Sequence, residues 1–92
     1  EYALAILSFN RESLVRHGVT QRECIEALAD PCVVEVDEGE SNSGNPRIMW
    51  VGKTHLERLL EVGVEYLEEM DWIYHANNAQ SKYRRQYLWG VE

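Results

Sequence analysis

The chain lacks any run of about 18 apolar residues, so no segment reads as a membrane-spanning helix. Its longest apolar stretch, Tyr2–Phe9, is too short to span and has no basic leader, so a secretory signal is not expected. Cations are scarce. Nine Lys and Arg stand against 16 Asp and Glu, a formal net charge of −7. Coating long DNA requires many phosphate contacts, and that balance argues against it. A small site on one nucleotide, or a basic protein partner, stays compatible with it. Cysteine is scarce too. Cys24 falls in a helical pattern and Cys32 follows Pro31, which points to buried thiols rather than a staple, and to a reducing cytoplasm. There is no glycine-rich phosphate loop, no Gly-x-Ser-x-Gly elbow, no evident Cys–His pairing, no internal repeat and no low-complexity tract.

What is present fits one small domain over residues 1–92, with 45% apolar residues to build a modest core. Glu1–Phe9 is apolar on either phase, which suits a short buried strand or the start of a longer helix. Asn10 caps a helix to His17, and Gly18 supplies its left-handed end. Thr20-Gln21-Arg22-Glu23 is a capping box that opens a second helix, which Asp30-Pro31 ends. The period then changes to alternation. Cys32–Asp37, Arg47–Lys53, Arg58–Leu67 and Asp71–Ala76 read as strands, with Glu38–Pro46 a loop and Glu68–Met70 a turn. In the third strand Leu60, Val62, Val64 and Tyr66 oppose Leu59, Glu61, Gly63 and Glu65. In the last, Trp72 and Tyr74 oppose Ile73 and His75. A closing helix runs from about Asn78 to about Leu88, with Ala79, Tyr83, Gln86 and Tyr87 inward. The expected fold class is α+β: two N-terminal helices, an antiparallel meander of three or four strands, and a C-terminal helix.

The charge pattern breaks at the end. Residues 77–92 carry three cations, Lys82, Arg84 and Arg85, and one acid, whereas residues 1–76 carry six cations and 15 acids. Cations interleaved with tyrosines grip phosphodiesters and stack on bases.

The words Arg16-His17-Gly18-Val19, Asp30-Pro31, Gly52-Lys53-Thr54, Arg58-Leu59-Leu60-Glu61-Val62 and Ala76…Ala79…Tyr83-Arg84-Arg85-Gln86-Tyr87 appear in this order and spacing. In them the chain resembles the BrnT toxins, a branch of the RelE-like superfamily. The resemblance implies a small cytoplasmic ribonuclease neutralised by a co-encoded antitoxin that carries a ribbon–helix–helix part. Two departures stand out. The chain is acidic where the family is usually basic. Its strand-to-helix run is His75-Ala76-Asn77-Asn78, where many members have an arginine. These departures favour the alternative, a catalytically inactive toxin-fold domain that acts as a protein-interaction module. A homodimer suits either reading.

Metal-independent RNA cleavage needs a base for the ribose 2′-OH, an acid for the leaving oxygen, and cations for the phosphorane. His75 is the acid–base candidate, since its ordinary pKa of about 6.5 suits both roles. Arg85 and Lys82, spaced i, i+3, are the catalytic cations, and Arg84 is a phosphate contact. Arg47 and Lys53 share a strand face with Met49 and Val51 and would add charge to a cleft under the last helix. Tyr83, with Tyr87 at i+4, reads first as core, with its hydroxyl at the site edge as the functional option. His17 reads as structural at its helix end, and His55 as solvated. His17, His55 and His75 lack metal-site spacing, so no metal or cofactor is expected. Glu61 and Glu65 read as lining a wet sheet face or holding site cations. Glu35, Asp37, Glu38 and Glu40 read as a solvated loop edge, or a contact for a basic antitoxin.

Overall fold

A computed structural model describes residues 1–3 and 5–89. Leu4, inside the N-terminal segment, and residues 90–92 lie outside it. The elements are β1 (Leu7–Phe9), α1 (Arg11–His17), α2 (Gln21–Leu28), β2 (Val34–Glu40), β3 (Pro46–Lys53), β4 (Leu59–Tyr66), β5 (Asp71–Asn78) and α3 (Ser81–Trp89). The fold is α+β. The sheet has five strands in the order β1-β5-β4-β3-β2, so the expected antiparallel meander is its larger part. The correction is β1, which adds a parallel edge strand through Leu7↔Asp71 and Phe9↔Ile73. It carries only three residues and no alternation, so its partner could not be read from its pattern. Two strands also run beyond expectation. β2 continues to Glu40 and β5 to Asn78, which shifts the start of α3 to Ser81.

Local chemistry sets the helix ends. The Asn10 side chain accepts the Ser13 N–H at 3.2 Å, and Gly18 takes φ 64°, a left-handed position that costs glycine little. The Thr20 hydroxyl accepts the Glu23 N–H at 3.0 Å, while the Glu23 carboxylate accepts the Thr20 N–H at 2.9 Å.

The sheet separates two cores. α1 and α2 cover one face, where Leu14, Cys24, Leu28, Trp50, Leu60, Val62, Val64 and Ile73 are buried together. Full burial of each large apolar side chain contributes about 1.5–3 kcal/mol. On the other face Ala79, just before α3, and Tyr83 of α3 pack on Met49, Val51 and Leu59. α2 approaches β3 so closely that a Cβ on Gly52 would stand 2.2 Å from the Ala27 carbonyl oxygen. Arg58 clamps the other end of the α1–α2 layer. It donates to the Gly18 carbonyl at 2.9 Å, to both Glu23 oxygens at 3.2 Å, and to the Asn78 side chain at 2.8 Å. Cys24 is a buried thiol as expected, but Cys32 is exposed and both are free.

Candidate functional site

α3 packs on β2 and β3, with Tyr83 against Met49, Val51 and Leu59. Beside it, on the same face, β5 carries a bulge. β5 pairs His75 with Gly63 and Ile73 with Val64, so Tyr74 is an extra residue. A bulge re-aims the side chains that follow it. This corrects the simple alternation expected for β5. Ile73 is buried under α1 and α2, while His75 turns to the α3 side and meets Glu61. Tyr74 lies on Gly63, whose missing side chain makes the room: a Cβ there would fall 2.6 Å from Tyr74 Cζ.

Glu61 is fully buried, which corrects its reading as part of a wet face. Its carboxylate accepts the Gln80 backbone N–H at 2.8 Å and the Gln80 amide at 3.0 Å, and it meets His75 Nε2 at 2.8 Å. A carboxylate can only accept, so His75 Nε2 donates and Nδ1 is left for other partners. A buried acid is tolerated when donors surround it. The same bonds tie α3 to the sheet. The His75 side chain keeps 26% of its surface exposed. His17 stands edge-on to its ring at 5.5 Å between centroids.

Glu65 is buried as well and holds a cation. Arg47 Nε donates to it at 3.0 Å, and the Arg47 guanidinium lies over the Tyr74 ring at 4.2 Å, a cation–π contact. Burial pushes the Glu65 pKa up, but hydrogen bonds from Asn45, Arg47 and Ser41 outweigh it and hold the group below its ordinary range. Burial raises the Tyr74 pKa against the pull of the Arg47 charge, so the ring stays a neutral phenol.

The remaining expected site residues separate. Tyr83 is buried in the α3 core and donates to Glu38 at 2.7 Å. Burial and that acceptor push its pKa far above the usual phenol value. Lys53 is six positions from Arg47 on β3, roughly 20 Å along the strand. It lies 5.9 Å from the Tyr87 ring and 3.7 Å from Glu57. Near it Asp30 accepts the Lys53 N–H at 2.8 Å, the Tyr87 hydroxyl at 2.7 Å and the Cys32 N–H at 2.9 Å. Lys82, Arg84 and Arg85 are exposed on α3. Lys82 Nζ sits 4.9 Å over the Tyr83 ring, and among the described residues neither arginine has an ion-pair partner. His55 is exposed but within 3.3 Å of Glu26. Among the described residues no three His, Cys, Asp or Glu side chains converge as a metal site, and no helix is long and apolar enough to cross a membrane.

The structure therefore joins His75 and Arg47 through Tyr74, brings Glu61 in as the partner of His75 rather than of a cation, and adds Gln80 and Gly63, which reading the sequence had not placed at the site. The one legible signal was Gly63 between two acids on the strand's polar face. The Tyr74 bulge left no trace in the pattern. No protein-family model matches the chain, and no curated protein matches it.

Proposed function

We propose that the chain is a BrnT-like toxin of the RelE-like kind, a metal-independent RNA endonuclease. In this reading it works in the cytoplasm and is neutralised by a co-encoded antitoxin with a ribbon–helix–helix part. The observation that carries the reading is the Glu61–His75 pair at 2.8 Å, with the His75 ring partly exposed beside the Arg47–Tyr74 stack. His75 exchanges a proton at Nδ1 with the ribose 2′-OH or the 5′-oxygen leaving group. Glu61, through Nε2, fixes the tautomer and the ring direction. Arg47 and the α3 cations Lys82, Arg84 and Arg85 supply positive charge for the phosphate. Support also comes from the element order, two helices before a meander and one after it. The test is digestion of total RNA by the purified protein in EDTA, beside the His75→Ala/Arg85→Ala double variant. Fragments from the parent alone are the expected result; intact RNA from both overturns it.

A second reading has its own observation. Glu65 offsets Arg47, Glu38 holds the Tyr83 hydroxyl, and β2 exposes Glu35, Asp37 and Glu40 along a sheet edge. Acids so placed favour a toxin-fold domain that binds a basic protein and cleaves nothing. Intact RNA, with a basic protein retained from the native host by pull-down, is its outcome.

A further inference from the structure

The side chains that β5 turns to the α3 face before Asn77 are aromatic in succession, Trp72, Tyr74 and His75. Trp72 and Tyr74 have centroids 6.3 Å apart, and Tyr74 and His75 6.5 Å apart. All three residues are half-buried, and the Tyr74 ring lies between Gly63 and the Arg47 guanidinium. Arg47 is stacked on Tyr74 with its guanidinium 4.2 Å from the centroid. At that point the platform is a charged plane, on which a base also stacks. Beyond Trp72 a cavity of about 290 Å³ opens between that ring, Arg47 and the β2–β3 turn, Ser41 to Ser43, with Glu40 and Glu65 in its wall. The hydroxyls, the Asn42 amide and the carboxylates suit the donor and acceptor edge of a base. The carboxylates repel a phosphate, so a base rather than the backbone enters.

Resting on the ribonuclease reading, we infer that Trp72, the Arg47–Tyr74 stack and His75 form a track for an unpaired RNA strand, with a base seated in the cavity at Trp72 and a phosphate brought to His75. The spacing selects the substrate class. Paired strands hold successive bases about 3.4 Å apart and turn their faces toward one another. Rings more than 6 Å apart and tilted by 47° and 35° receive only bases that are unstacked from one another, which an unpaired strand offers.

Binding is measured by fluorescence anisotropy at one fixed ionic strength, with labelled 2′-O-methyl oligonucleotides, which lack the attacking hydroxyl and stay intact. The probes are a single strand, the same sequence as a duplex, and an abasic strand with the same phosphates. The single strand should bind most tightly. Trp72→Ala should weaken it about tenfold, the order expected for losing one stacked base, and Trp72→Phe should retain most of the affinity. The abasic strand should bind both variants and the parent alike. Equal single-strand affinity for Trp72→Ala, in a protein with the parent's circular dichroism, overturns the track, as does duplex binding as tight as single-strand binding. The two readings fail separately. Base-dependent binding without RNA cleavage keeps the track and overturns the nuclease. Cleavage without dependence on Trp72 does the reverse.

Discussion

Replacing Gly63 with alanine tests whether the bulge at Tyr74 is built as described. The new Cβ would lie 2.6 Å from Tyr74 Cζ and 2.9 Å from Cε2 and the hydroxyl oxygen. Ordinary contact is about 3.5–4.0 Å, so the ring must retreat by about 1 Å. It cannot retreat freely, because Arg47 covers it at 4.2 Å and the bulge fixes its backbone. Overpacking of this kind costs about 1–3 kcal/mol. Gly63 is not among the positive-φ glycines, so alanine brings no backbone strain there. It recovers about 0.5–1 kcal/mol by restricting the unfolded chain. The net loss is then between about zero and about 2.5 kcal/mol, and each kcal/mol lowers Tm by about 4–8 °C in a domain of this size. Urea unfolding followed by tryptophan fluorescence gives the value. Tyr74→Ala removes the clashing ring, so Gly63→Ala in that background should be neutral or slightly stabilising, a coupling of at least about 1 kcal/mol. Losses that add within about 0.5 kcal/mol would show that the two residues do not touch, and the packing at the bulge would have to be redrawn.

Two further outcomes follow from charge and burial. Burial, reinforced by the Glu23 charge, pushes the Cys24 thiol up to about 12, while Cys32 is exposed. Iodoacetamide should therefore label one thiol in the native protein and two in denaturant, and two labelled thiols in the native protein would refute the burial of Cys24. Burial pushes the Asp30 pKa up, but the Lys53 N–H, the Tyr87 hydroxyl and the Cys32 N–H outweigh it and leave the group below its ordinary value. A depressed folded-state pKa gives stability that is complete above the unfolded value, about 3.9, and lost as pH falls through the folded one. Asp30→Asn should cost about 2 kcal/mol at neutral pH and flatten part of the loss below about pH 4 in urea titrations. An acid limb identical to the parent's would remove Asp30 from the account.

The parts of the fold that could be read beforehand are those whose cause lies within a few residues. Asn10, Gly18 and the Thr20–Glu23 box act locally, and the helices begin and end on them. The alternation of β4 placed Leu60, Val62 and Val64 on one face correctly. The failures have causes far along the chain. β1 is a strand because β5 pairs with it 64 residues later, at Leu7↔Asp71. Tyr74 is a bulge because Gly63 leaves space beneath it. Glu61 is buried rather than wet because its donors come from His75 and Gln80, 14 and 19 residues away. The same distinction divides the ordered words. Gly18 ends α1, Gly52 admits α2, Asp30 ties β3 to α3, and Arg58 clamps the α1–α2 layer. Those are fold-making contacts, so a resemblance in them speaks to architecture first. The candidate site rests largely on Tyr74, His75 and Arg47, which the words do not contain. Glu61 is where the two sets meet. One carboxylate holds the residue before α3 through the Gln80 N–H and fixes the His75 ring through Nε2. A change there moves helix docking and ring orientation together, because leaving either donor buried without its acceptor costs about 1–3 kcal/mol. The proposed chemistry can therefore be dissected at His75, Arg47 and Trp72, but not at Glu61, where stability and site are the same interaction.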